Sequence, residues 1–140
     1  MEVRQLSAED LEQALALWHG ADGVGLDRDS DTKQRIALYI QRNPGLSFCA
    51  LADGRIVAAV LCGHDGRRAY MNHLVVAAGH RQRGIGKALV KKVTAKLRVL
   101  GIRRCNIFVY ADNAAALGFW EHLGWTERID LKVLSQNITL

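Results

Sequence analysis

Apolar and polar residues alternate over "MEVRQL" and then repeat at helical spacing through "SAEDLEQALALW", where Leu11, Ala14, Leu15 and Trp18 share one face. This predicts a short strand feeding an amphipathic helix, with Ser7 placed to cap it. "GADGVGLDR", Gly20 to Arg28, reads as an irregular loop, and a second helix is expected from Asp31 to Arg42, stopped at "NPG". Three strand-like runs follow in "LSFCALADGRIVAAVLCGHDGRRAYMNHLVVA", broken at Asp53-Gly54 and Asp65-Gly66; an antiparallel meander is the simplest arrangement. From Ile85 the apolar residues Leu89, Val93, Leu97 and Leu100 recur at helical spacing, with Lys87, Lys91 and Lys92 off that line and Gly101 as C-cap. "RRCNIFVY" reads as a strand apolar on both faces, and "ADNAAALGFWEHLG" as a short helix capped by Asp112 or Asn113 and ended by Gly124. "WTERIDLKVL" reads as a returning strand, with another at Gln136 to Leu140. The expected order is β-α-α-β-β-β-α-β-α-β, an α/β (α+β) fold.

A chain of 140 residues, 49% apolar, has the length of one domain, and residues 1–140 are read as such, without linker or repeat. Glu2, Arg4, Glu9, Asp10 and Glu12 interrupt any signal-peptide core, and no later run reaches membrane-spanning length, so a soluble, cytoplasmic protein without a membrane partner is expected. Cys49, Cys62 and Cys105 lie far apart in apolar runs without metal-ligand spacing; buried, reduced thiols and no metal site are expected. The net charge of +5 is uneven. No Asp or Glu occurs from Arg67 to Ala111, whereas Arg81 to Arg104 carries nine Lys/Arg. A nucleic-acid surface or a site for a small polyanion, such as a nucleotide diphosphate, would both produce that pattern.

The basic stretch opens at "HRQRGIGKAL", His80 to Leu89, where an apolar run ends and a helical pattern starts. Gly84 and Gly86 allow backbone angles and close approaches that a Cβ forbids, at a helix start whose first amides lack internal partners. Such a corner can cradle a pyrophosphate, with Arg81, Arg83 and Lys87 adding charge; a plain helix entry with surface lysines has the same residues. A dinucleotide fingerprint needs a third glycine where Leu89 stands, and Walker A needs Ser or Thr where Ala88 stands. Neither fits.

"RQRGIG", Arg81 to Gly86, preceded by "MNHLVV", resembles the (Gln/Arg)-x-x-Gly-x-(Gly/Ala) phosphate loop of the GNAT acetyltransferases, and "NAAALGFWEHLGW", Asn113 to Trp125, resembles their second segment. The motifs stand in the family's order and the element order agrees, so the resemblance covers nearly the whole chain, most closely to small single-domain bacterial members. It implies the GNAT acyl-CoA N-acyltransferase fold, with a central mixed, mostly antiparallel sheet of six or seven strands and about four helices. It also implies an acetyl-CoA-dependent N-acetyltransferase that uses no metal and acts by direct attack of a primary amine, from a small molecule or a peptide, in a ternary complex. Backbone groups of Leu74, Val75 and Val76 would pair with the pantetheine arm along the splayed edge of the fourth strand. Arg81 and the amides of Gln82, Arg83, Gly84, Ile85, Gly86 and Lys87 would hold the pyrophosphate. Asn113 and Ala116 would line the pantetheine path, and Trp120 would lie near the thioester sulfur; for Asn113 the helix N-cap is an equal reading.

Trp120 is a departure, because many members carry a tyrosine there as general acid and an indole N–H cannot usefully give up its proton near neutral pH. Trp120 is left to pack on the pantetheine, to close the acceptor pocket or to fill core. Tyr110 is the first replacement acid, with bulk water as the alternative; His122 lies about 200° round the helix from Trp120 and is a poor substitute. The acid-free span excludes a strand glutamate as base, which leaves His73, or Tyr70, to relay a proton through water, against a structural reading of His73. An N–H near Val76, in a strand that bulges, would serve the oxyanion. A cysteine nucleophile competes weakly, since no cysteine has a His partner in sequence. The loop between the first two helices carries Asp22, Asp27, Asp29 and Asp31, an acidic wall that would favour a cationic amine unless Asp29 and Asp31 only cap the second helix and the others only solvate the loop. The missing tyrosine keeps a non-catalytic acyl-CoA-binding or sensor module as the alternative function. Low aromatic content and the lack of a recognition motif stand against a nucleic-acid partner, and edge-strand dimers among similar proteins make a homodimer an expectation.

Overall fold

The computed structural model describes residues 1–140 in two compact units, Met1–Phe108 and Val109–Leu140. The first unit is built on one sheet with strands in chain order, β1 (Glu2–Gln5), β2 (Phe48–Ala52), β3 (Arg55–His64), β4 (Arg68–Val76) and β5 (Arg104–Ile107). β2 to β4 are antiparallel neighbours, as the meander predicts, β1 also pairs antiparallel with β2, and β5 joins β4 in parallel. A parallel pair needs a crossover, which α3 (Ile85–Val99) supplies. Helices α1 (Leu11–His19) and α2 (Lys33–Arg42) connect β1 to β2. No helix is long and apolar enough to cross a membrane.

Every residue of β3 from Ile56 to Gly63 is buried, which requires cover on both faces of the sheet. On one face Leu11, Ala14 and Trp18 of α1 and Ile36 of α2 form a cluster with Cys49, Ala59, Leu61 and Val75. The alternate face is met by α3, whose Leu89, Val93 and Leu97 are buried. Gly63 marks a close approach, since a Cβ there would stand 2.5 Å from the Tyr39 hydroxyl of α2. The Tyr39 hydroxyl in turn accepts a hydrogen bond from Asn72 Nδ2 of β4 at 3.2 Å.

Helix ends follow local chemistry. Asp10 accepts from the Ser7 amide (2.8 Å) and from both terminal nitrogens of Arg4 (2.7 and 2.9 Å), and these bonds, Arg4's first, pull its carboxyl down to about 2. The second helix starts at Lys33 and not at Asp31, because Thr32 is its cap, Oγ1 accepting from the Arg35 amide at 3.2 Å. At the end of α3 the Gly101 amide reaches the Arg98 carbonyl and the Ile102 amide the Leu97 carbonyl, the paired bonds of a Schellman close.

The second unit holds α4 (Ala114–His122), closed in the same way by bonds from Gly124 to Glu121 and from Trp125 to Trp120. Here the strand count is corrected. The sheet has five strands, not six or seven, and neither "WTERIDLKVL" nor Gln136 to Leu140 forms a strand. Alternation alone does not make a strand without a neighbour to take its amides, and Ile129, Leu131 and Val133 are exposed. The run "RRCNIFVY" is likewise shorter than predicted, with β5 ending at Ile107.

Candidate active site

β5 covers β4 only from Arg68 to Met71, so Asn72 to Val76 present an edge without a strand partner. Which groups face that edge follows from pairing with β3. The Ala77 amide donates to the Val57 carbonyl at 2.7 Å, and alternation then turns the amide and carbonyl of Val76 away from β3, returns those of Val75 to it, and turns those of Leu74 away again. Leu74 and Val76 therefore offer backbone groups at the open edge. Val75 does not: its backbone belongs to the β3 pairing and its side chain to the core cluster.

The pairing also locates the bulge. Between Leu61 and Ala59 of β3, β4 runs from Asn72 to Val75 with one residue in excess, and His73 takes a left-handed φ of 55° there. From the sequence a bulge is expected in this strand without a set position, and the oxyanion N–H near Val76; the bulge lies upstream of that residue. The bulge brings the His73 ring against α1, with its centroid 5.4 Å from that of the buried Trp18, and sets His73 Nε2 3.2 Å from Asp31 Oδ1. Asp31 is itself fixed, its Oδ2 accepting the Asp27 amide at 2.7 Å. From the sequence Asp31 reads as a loop acid or a helix cap, because its partner stands 42 residues away and only the fold brings them together. Tyr70, the other base candidate, lies at the paired part of β4, its ring 5.9 Å from that of Phe108.

Beyond β4 the chain makes a short turn, Ala78 to His80, and enters α3 through Gln82 (φ 61°) and Gly84 (φ 78°), both left-handed. A Cβ at Gly84 would meet nothing within 4 Å, so glycine is needed for the backbone angle and not for space. The first helical bond runs from the Ala88 amide to the Gly84 carbonyl (3.0 Å), which leaves the amides of Ile85, Gly86 and Lys87 without a helical acceptor, and Gly84 has no side chain to cap them. No acid stands in this first turn. Arg81 ties the loop to the open edge, its Nε donating to the Val76 carbonyl at 3.0 Å, whereas Arg83 and Lys87 are exposed. The result is a run of free amides with cationic flanks, joined directly to the open edge of β4.

On the α1–α2 side a concavity of about 340 Å³ is lined by Leu15, His19 and Leu26, by Asp27 and Asp31, and by Arg28 and Lys33. Of the four loop acids only two line it, and each is engaged, Asp27 by the Ser30 amide and hydroxyl (2.9 and 2.6 Å) and Asp31 as above. Within this concavity the two acids stand beside two basic residues, Arg28 and Lys33.

The remaining candidates lie in the second unit. Asn113 caps α4, its Oδ1 accepting the Ala116 amide at 3.1 Å, as the N-cap reading required. Trp120 is buried between Phe119 and Trp125, with ring centroids at 5.1 and 4.6 Å, which is a core environment. Tyr110 is exposed. All three cysteines are free; burial pushes Cys49 up to about 11, and the neighbouring Cys105 thiol together with burial pushes Cys62 up, so neither makes a ready nucleophile. No group of side chains suited to a metal ion is present.

Comparison with known proteins places the chain in a family and its fold among solved structures. Residues 9–125 match the model of the acetyltransferase (GNAT) family. An acetyltransferase of Yersinia pestis (strain Pestoides F) is 33% identical over 125 residues, 89% of this chain and 87% of that protein. Among solved structures, aminoglycoside 6'-N-acetyltransferase AAC(6')-Ig from Acinetobacter haemolyticus superposes with a TM-score of 0.80 at 16% identity, over 99% of this chain and 100% of that one. AAC(6')-Iy in complex with the bisubstrate analogue CoA-S-monomethyl-acetylneamine gives a TM-score of 0.76 at 20% identity, over 99% and 98%.

Proposed function

The chain belongs to the GNAT family of acetyltransferases, and from that premise we propose that it moves an acetyl group from acetyl-CoA directly to a primary amine, with both units acting as one domain. The observation that carries this reading is the unpaired edge of β4 running straight into the free amides at the start of α3. Leu74 and Val76 would hold the pantetheine arm by backbone bonds, as a strand adds to a sheet edge. The amides from Gln82 to Lys87 would hold the pyrophosphate, with Arg83 and Lys87 as supporting charge.

His73 is the proposed base. If its Nε2–H donates to Asp31, Nδ1 carries the free lone pair and can take a proton from the incoming amine, directly or through a water. A backbone N–H at the bulge, from Leu74, or just beyond it, from Val76, would stabilise the developing oxyanion. Trp120 supplies no acid, so the thiolate is protonated by Tyr110 or by water. Asn113 and Ala116 are proposed to line the pantetheine path, in addition to the cap that Asn113 already makes.

The acceptor would enter from the concavity beside Asp31. Two of the similar solved structures are named as AAC(6') enzymes, one for aminoglycoside antibiotics and the other holding a bisubstrate analogue, so aminoglycosides join polyamines and peptide N-termini as the first amines to try. Thiol release from acetyl-CoA is expected to rise well above its amine-free rate with at least one of these classes. Binding of acetyl-CoA without release by any amine would favour the sensor reading, and no binding would defeat both. A homodimer is also proposed, supported by exposed, alternating Ile129, Leu131 and Val133 in a segment without strand partners. Sedimentation should then give twice the 15.5 kDa chain mass, and a monomer at tens of micromolar would remove the proposal.

A further inference from the structure

Four arginines meet at the end of the sheet opposite the α3 amides. Arg67 and Arg68 stand where the β3–β4 turn enters β4, Arg103 and Arg104 where the chain enters β5, and the parallel register sets Arg68 directly across from Arg104. Together they line an open concavity of about 460 Å³. None of the four forms an ion pair with a carboxylate. Asp65, in the turn, offsets one charge; its Oδ1 accepts the amides of Arg67 (2.8 Å) and Arg68 (2.9 Å), which hold its carboxyl low, with the charge of the two arginines helping.

Like charges held side by side repel, and here the strand register keeps four of them together with Asp65 as their one nearby carboxylate. Guanidinium groups present planar donor forks that match phosphate oxygens and are less strongly hydrated than ammonium groups. The concavity is larger than one phosphate needs, and its charge suits a short chain of them. We propose that this pocket binds a linear oligophosphate, a di- or triphosphate, either inorganic or as the phosphate chain of a nucleotide. β4 separates it from the pyrophosphate loop by nine residues, about 25–30 Å of strand, so the two anion sites are distinct. The inference does not depend on the transferase reading.

The test is calorimetric titration of the full chain, with CoA at saturation to occupy the α3 amides, with inorganic triphosphate and, separately, ATP, using wild type, the double variant Arg68→Gln/Arg104→Gln, and Arg83→Ala. The double variant should lose affinity by roughly tenfold or more, while Arg83→Ala retains it. Equal affinity for the two ligands would assign recognition to the phosphates alone; tighter ATP binding would assign it to a nucleotide. In melting experiments with CoA present throughout, triphosphate should stabilise wild type further and not the double variant, which without triphosphate should melt close to wild type because the repulsion it loses is set against Arg68's attraction for the exposed Asp65. Triphosphate binding that survives in the double variant, that is lost in Arg83→Ala instead, or that is absent in wild type overturns the proposal. So does tight binding of a short RNA duplex that triphosphate fails to displace.

Discussion

Gly84→Glu is expected to weaken acetyl-CoA binding by about 100-fold or more and to leave the fold in place. The site has open space around the missing Cβ, so the substitution brings no collision; what it brings is a side chain at φ 78° and a carboxylate beside the amides that would receive a pyrophosphate. The backbone term is small, about 1 kcal/mol. Charge decides the outcome. A carboxylate about 5 Å from a doubly charged diphosphate, at an effective dielectric of about 40, repels by about 3 kcal/mol, and 1.4 kcal/mol is roughly tenfold in affinity. Gly84→Ala separates the two effects, since it carries the angle without the charge and should lose less than tenfold. Arg83→Ala, which removes one exposed supporting cation, should fall between them at about tenfold. Calorimetry with acetyl-CoA reads all three, and a Gly84→Glu protein that binds as wild type does would remove the phosphate-loop assignment, provided its melting curve shows it folded.

The prediction could be framed from sequence because the features it uses are local. A glycine at a helix entry, basic neighbours and no acid within reach are visible in ten residues, and the structure adds the sign of φ and the free amides. Other features were not legible for the same reason turned round. The C-terminal alternation of Ile129, Leu131 and Val133 has the period of a strand, but a strand exists only if another takes its amides, and that depends on partners that the segment does not encode. The bulge at His73 arises from register between β3 and β4, which no periodicity in "MNHLVV" announces. Arg68 and Arg104 are 36 positions apart and become neighbours only through the parallel pairing of β4 and β5. Asp31 reads from the sequence as one more loop acid or a helix cap because its meaning lies in His73. Trp120 went the other way: its core reading was available from sequence, and its burial against Phe119 and Trp125 fits that reading.

Removing the His73 imidazole should lower the turnover number by about 100-fold with acetyl-CoA affinity unchanged, which is the range for loss of a positioned general base. The choice of substitution matters because His73 is left-handed at φ 55°. Alanine there would mix backbone strain with lost chemistry, whereas asparagine tolerates that region and glycine adopts it freely. His73→Asn therefore reads the chemistry, and His73→Gly opens a space in which added imidazole should restore part of the rate; recovery by imidazole is something a purely structural histidine would not show. Asp31→Asn should act more mildly, about tenfold on turnover with little change in acceptor KM, because Asp31 positions the ring through a 3.2 Å contact and an amide oxygen can still accept from Nε2–H. The aspartate also accepts the Asp27 amide, so a collapse of acceptor KM instead would assign it to shaping the loop. Tyr110→Phe completes the set, with a severalfold slowing if the phenol protonates the thiolate and none if water does, because a thiol needs little help to leave. Unchanged turnover in His73→Asn would mean that the amine reaches the thioester already neutral, and that the pairing of His73 with Asp31 serves to pin the α1–α2 loop against β4.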